Sequence, residues 1–164
     1  MPNTMIPIAS STVGAGGAAS IDFTSIPSTY TDLYLKLSLR TTDAQTIGPA
    51  SLQFNGATTN YSSRELIGSG SAVSSQSRTN VSSGMYLGNG VGDTATASTF
   101  GNLEIYIPNY AGSSYKSVNV DNVGENNGTT AYATFITGLW SDTSAINRIT
   151  VYGLGTNLNT NESS

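Results

Sequence analysis

The side chains able to carry chemistry in this 164-residue chain are carboxylates, hydroxyls, amides and aromatic rings, because it contains no histidine and no cysteine. Those absences remove the commonest general base, the commonest transition-metal ligand and every thiolate nucleophile or disulfide. Asp22, Asp32, Asp43, Asp93, Glu104, Asp121, Glu125 and Asp142 remain as candidates for acid–base work. A glycosidase would hold two such groups at a set separation across a sugar ring. None of the eight forms a recognised pair or motif in the sequence, so the expectation is a protein without catalytic residues that is not an enzyme. Asp121-Asn122 with Glu125-Asn126-Asn127 offers the oxygen ligands that calcium takes, but it lacks the EF-hand spacing and reads better as a plain turn. Neither a metal site nor a cofactor is expected.

Aromatic rings are the other chemically able group. Tyr30, Tyr61, Tyr106, Tyr110, Tyr115 and Trp140 could each offer a flat apolar face with a polar tip to a sugar ring or a neighbouring subunit. Tyr61, Tyr106, Tyr110 and Trp140 are the candidate ligand or interface aromatics. Trp140 follows the inward candidates Phe135 and Leu139, which favours packing in a core or interface over ligand stacking. Arg64-Glu65 and Arg148 should pair with acidic neighbours on the surface or across subunits.

The elements that must position these groups are strands. Asp32 to Thr41 alternates strictly, placing Leu33, Leu35, Leu37 and Leu39 on one face and Tyr34, Lys36, Ser38 and Arg40 on the other. A strand with one apolar face belongs in a sheet covered on that side. Similar patterns appear around residues 21–26, 51–54, 85–87, 100–108, 115–123, 130–140 and 146–154, separated by turns rich in Gly, Ser and Asn. Asn55-Gly56 suits positive φ. Residues 42–49, 88–97 and 68–83 carry no such pattern and read as loops, the last as a long surface excursion. Ser62 to Ile67 fits a helical turn or a strand.

Together these patterns predict an all-β, two-sheet antiparallel β-sandwich of eight to ten strands, jelly-roll-like and with minor helix. Leu33, Leu35, Leu37, Leu39, Phe54, Leu103, Ile105, Ile107, Val118, Val120, Ile149 and Val151 should face its core. Residues 1–17, including Gly14-Ala15-Gly16-Gly17, read as a flexible arm or edge strand, residues 18–155 as one domain, and residues 156–164 as a polar, frayed tail.

Six basic and ten acidic residues give a net charge of −4, so the chain lacks the basic stripe that nucleic acid requires. Only 10% of residues are charged, against about a quarter in ordinary domains. Such a surface is cheap to desolvate against another subunit. Neither a signal-like leader nor a membrane span is visible, and no membrane partner is expected.

Several motifs carry a family resemblance. Phe23-Thr24-Ser25-Ile26-Pro27, Tyr30-Thr31-Asp32-Leu33, Arg40, Phe54-Asn55-Gly56 and Asn60-Tyr61-Ser62 are followed in order by Phe100-Gly101, Glu104-Ile105 and Ile107-Pro108-Asn109-Tyr110. Lys116, Gly138-Leu139-Trp140 and Ala145-Ile146-Asn147-Arg148-Ile149-Thr150 complete the series. This order resembles a family of small β-rich virion structural proteins of tailed bacteriophages. It departs at the end: similar sequences finish in a further strand ending near Tyr-Gly-Ile, whereas here Tyr152-Gly153-Leu154 is followed only by Gly155 and the polar tail, so either the last strand is shortened or a neighbouring chain completes the sheet. The resemblance implies a location in the virion and a capsid decoration or cement role, with a tail or fibre module binding host-surface glycan as the alternative. Its implied partners are copies of the same chain, as a homo-oligomer and by analogy a trimer, and other virion proteins such as the major capsid protein.

Overall fold

Strands form where apolar residues recur every second position, and the computed structural model, which describes residues 5–81 and 83–158, contains ten of them. In chain order they are β1 (Ser20–Phe23), β2 (Asp32–Leu39), β3 (Ile47–Phe54), β4 (Tyr61–Gly68), β5 (Val73–Val81), β6 (Met85–Val91), β7 (Gly101–Pro108), β8 (Lys116–Gly124), β9 (Tyr132–Trp140) and β10 (Ile149–Gly153). The described residues include no helix.

The strands make two antiparallel sheets, ordered β1-β10-β3-β6 and β2-β7-β8-β9-β4-β5, packed as a β-sandwich. An eight-stranded jelly roll joins its first, last, third and sixth strands in one sheet, and its second, seventh, fourth and fifth in the other. The present order is that arrangement with a three-stranded meander, β7-β8-β9, where the jelly roll has its seventh strand.

The core lies between the sheets. Of the twelve residues expected to face it, eleven are buried, and Leu35 is half-buried beside a groove at the β2 edge. Although β6 is an edge strand by hydrogen bonding, it lies over the middle of the six-stranded sheet. There Asn122 Nδ2 donates to the Leu87 carbonyl at 2.7 Å. Gly88 permits this approach: its φ is +94°, and a Cβ there would stand 2.5 Å from Asn122 Nδ2.

Several expectations from the sequence are corrected. Residues 68–83 are no loop excursion: β4 and β5 form a hairpin through a turn in which Ser69 N–H donates to the Ala72 carbonyl at 3.0 Å. The side chains of 73–77 are exposed, so main-chain pairing holds β5 without any apolar period to announce it. Residue 82 lies outside the described residues. β3 begins at Ile47, through Pro49 and a register shift before Ser51, and β6 continues to Val91. β9 has the opposite phase to that expected, with Thr134, Ile136, Gly138 and Trp140 inward and Phe135 outward. The polar tail is anchored as far as Leu158, which is fully buried and exchanges main-chain hydrogen bonds of 2.8 and 3.0 Å with Ala18. The rest of that tail, residues 159–164, lies outside the described residues, as do Met1 to Thr4 at the start of the arm.

Arg40 follows β2 and is 8% exposed. Its guanidinium donates to four carbonyls of one loop, those of Asp93, Ala95, Thr96 and Thr99, at 2.9 to 3.1 Å. One side chain thereby organises the connection from β6 to β7.

Candidate functional site

The motif residues converge, but on a structural hub. Asn55 and Gly56 both take positive φ, 53° and 73°, and turn the chain after β3. The Asn55 side chain then donates to the Ala145 carbonyl at 2.9 Å and accepts the N–H groups of Asn147 (2.9 Å) and Arg148 (3.2 Å). Tyr61 hydroxyl accepts the Phe54 N–H at 2.8 Å and donates to the Ala57 carbonyl at 3.1 Å. Burial pushes that hydroxyl up to about 12, so it remains a neutral donor. The rings of Phe54, Tyr61 and Trp140 cluster with centroids 5.5 to 6.2 Å apart. Beside them Tyr110 hydroxyl donates to the Pro27 carbonyl, and Asn147 carbonyl accepts from Ile26 N–H at 2.9 Å. These residues lock the end of the sandwich where β1, β3, β4, β9 and β10 meet.

Of the candidate aromatics, Tyr61, Tyr110 and Trp140 are at most 1% exposed. Their faces are spent on core packing and cannot stack a ligand. Tyr106 alone of the four is accessible, 38% exposed on the outer face of the six-stranded sheet.

Most of the acidic groups are placed apart, but Asp93 N–H donates to the Asp43 carbonyl at 2.7 Å, and Glu104 and Asp121 are cross-strand neighbours. Asp22 accepts from Arg148 Nη2 at 2.7 Å and from the Thr150 hydroxyl, while Asp142 caps Ser144 N–H at 2.7 Å. Glu125 Oε1 accepts the N–H groups of Asn126 and Asn127, a plain turn, while Asp121 and Asn122 point to opposite faces of β8. No cluster of metal-ligating carboxylates occurs among the described residues. Glu65, expected at the surface or across subunits, is buried and pairs with Arg78 of β5 at 2.5 Å. Arg78 also lies 3.9 Å from the ring centre of Tyr86, in the other sheet. Lys116, too, is fully buried, with Nζ donating to the Gly112 carbonyl at 2.7 Å and to that of Ser114. Burial pushes its ammonium below the usual lysine value.

What remains accessible and organised is the outer face of the six-stranded sheet. Cross-strand register sets out its rows: Tyr34 faces Tyr106, Lys36 faces Glu104, Glu104 faces Asp121, Asp121 faces Phe135, and Phe135 faces Leu66. One half is polar and aromatic. Tyr34 hydroxyl donates to Glu104, Tyr106 hydroxyl to Asp32 at 3.0 Å, and Lys36 pairs with Glu104 at 3.1 Å. Among the described residues Glu104 and Asp121 are the one pair of candidate acids that face each other in strand register. The Tyr34 hydroxyl, then Lys36, hold the Glu104 carboxyl below its usual value, the reverse of what a general acid needs. The other half is apolar: Phe135 (49% exposed), Leu66 (53%), Val123 (40%) and Val73 (74%) group around Ala133, bordered on the β8 side by Asp121, which faces Phe135. The sequence hid this patch because Phe135 and Leu66 look like core residues until β4 and β9 are brought into register.

No family model, curated protein or solved structure matches this chain.

Proposed function

We propose that this chain is a non-enzymatic structural protein of a tailed-bacteriophage particle, a capsid decoration or cement protein that works by subunit contact. The apolar patch of Leu66, Val73, Val123, Ala133 and Phe135 on an otherwise polar sheet face carries the reading. Grouped exposed apolar side chains of this kind mark interaction sites, and the low charge around them keeps desolvation cheap. The motif order supports the virion assignment. The fold itself is neutral, since jelly rolls serve both viral shells and lectins. A decoration protein should be present in many copies and stay on DNA-filled heads stripped of tails. Phe135→Asp should keep the fold and abolish incorporation; recovery of the protein solely in the tail fraction would exclude the capsid role.

Tyr34 and Tyr106, side by side with Asp32, Glu104 and Lys36, favour a second reading, a fibre or tail module binding host-surface glycan. Paired aromatic faces bordered by hydrogen-bonding groups suit a sugar. In that case the purified protein binds host polysaccharide, and Tyr106→Ala removes the binding.

A further inference from the structure

β2 pairs only with β7, so alternate residues along its other side direct N–H and C=O groups away from the sheet. Beside this edge the sandwich is open. A groove of about 940 Å³ runs between β2 and β1, with Ile21, Phe23, Leu33, Leu35 and Leu37 in its lining. Residues 5–11 of the arm lie against it. Yet Met5, Ile6 and Ile8 remain 64%, 52% and 41% exposed, and among the described residues no hydrogen bond joins residues 5–13 to the domain. An apolar segment lies along an apolar groove and a free strand edge without pairing.

Chain direction explains this. Ala18 and Thr41 both pair with Leu158, so the arm leaves the domain at the end of β2 where Leu39 exits the sheet. Laid along its own β2 from there, the arm runs parallel to that strand. Among the described residues every pairing between the ten strands is antiparallel, the one parallel contact being the isolated bridge of Arg40 to Val91, and parallel pairing is the weaker of the two. A second copy can deliver the same arm in the antiparallel sense. Nine residues reach roughly 30 Å at about 3.3 Å each, enough to cover the eight residues of β2. With Ile6 and Ile8 directing their main-chain groups at β2, Pro7 falls on the solvent side, where its missing N–H costs nothing. Gly14, Gly16 and Gly17 supply the hinge.

We infer that β2 and its groove receive the residue 5–13 arm of a second copy, added as an antiparallel edge strand with Ile6 and Ile8 seated in the groove. This rests on the protein assembling with itself and not on its place in a particle, which head and tail fractionation decides separately. Sedimentation at high micromolar concentration should show oligomers for the full chain. Deletion of residues 1–13 should yield folded monomer, as should Ile6→Asp combined with Ile8→Asp, which alters only exposed positions and cannot unfold the core. A labelled peptide of residues 5–13 should bind the deletion variant. Chains carrying Ile8→Cys, mixed with mass-tagged chains carrying Leu35→Cys, should form disulfides between copies. A monomeric full chain, even one that takes another protein into the groove, would overturn the inference. So would oligomers that survive both arm alterations, or disulfides found only within a doubly substituted chain.

Discussion

Replacing Arg40 by Ala tests whether one buried guanidinium holds the loop between β6 and β7. It makes four charge-assisted hydrogen bonds, to the carbonyls of Asp93, Ala95, Thr96 and Thr99, each contributing about 1.5–3 kcal/mol net. The four losses do not add in full, because Asp93 and Thr96 are exposed residues whose carbonyls water can reach once the side chain is gone. Ala95 is buried and Thr99 half-buried, so about two bonds are left unrecovered, or roughly 3–6 kcal/mol. Arg40→Lys should cost about half as much, since an ammonium offers three donors from one point where the guanidinium forks across the loop. Urea unfolding measures the loss; with a slope of about 1–3 kcal/mol per molar, the Ala variant's midpoint should fall by about 2 M. Amide exchange over residues 93–99 should rise before global unfolding. A loss under about 1 kcal/mol, or unchanged exchange in the loop, would refute the clamp.

Arg78→Ala strands the fully buried Glu65 carboxylate and removes the contact with Tyr86, so it should cost about 3–5 kcal/mol. In a Glu65→Gln background the same change should cost less than half that, and a double-mutant cycle showing no coupling would deny the buried pair. Leu37→Asp places a charge at a position only 7% exposed, facing the core; soluble protein with native near-ultraviolet dichroism would contradict the inward assignment. The Asp22 carboxyl is held below its ordinary value chiefly by the Thr150 hydroxyl, then by Arg148. A lowered folded value means stability that is complete above the ordinary carboxylate value and is lost as pH falls through the folded one. Urea midpoints measured downward from about pH 4 should therefore drop more steeply for wild type than for Asp22→Asn.

Alternation by itself determined the sandwich and most of its core. A side chain's face in a strand depends only on the parity of its position, so Leu33, Leu37, Leu39, Leu103, Ile105, Ile107, Val118 and Val120 announced both sheet and interior. Positive φ at Asn55 and Gly56 was equally legible, because turn chemistry is local. The tertiary structure decided whatever depends on neighbours distant in sequence. β5 is polar from Ser74 to Asn80, with no apolar alternation, and its strand character comes from pairing with β4 and from the Arg78–Glu65 contact. Phe135 is as apolar as Ile136, and only β9's placement between β8 and β4 sends one outward and the other inward. Tyr61, Tyr110 and Trp140 have the composition of a binding site and the position of a core, a distinction set by what packs over them. Glu65 reads as a surface or intersubunit charge until Arg78 encloses it, and the burial of Lys116 among carbonyls is likewise set by its neighbours. Sequence patterns report the period of a chain's own backbone, whereas burial, pairing and exposure are properties of contacts between segments that the period does not encode.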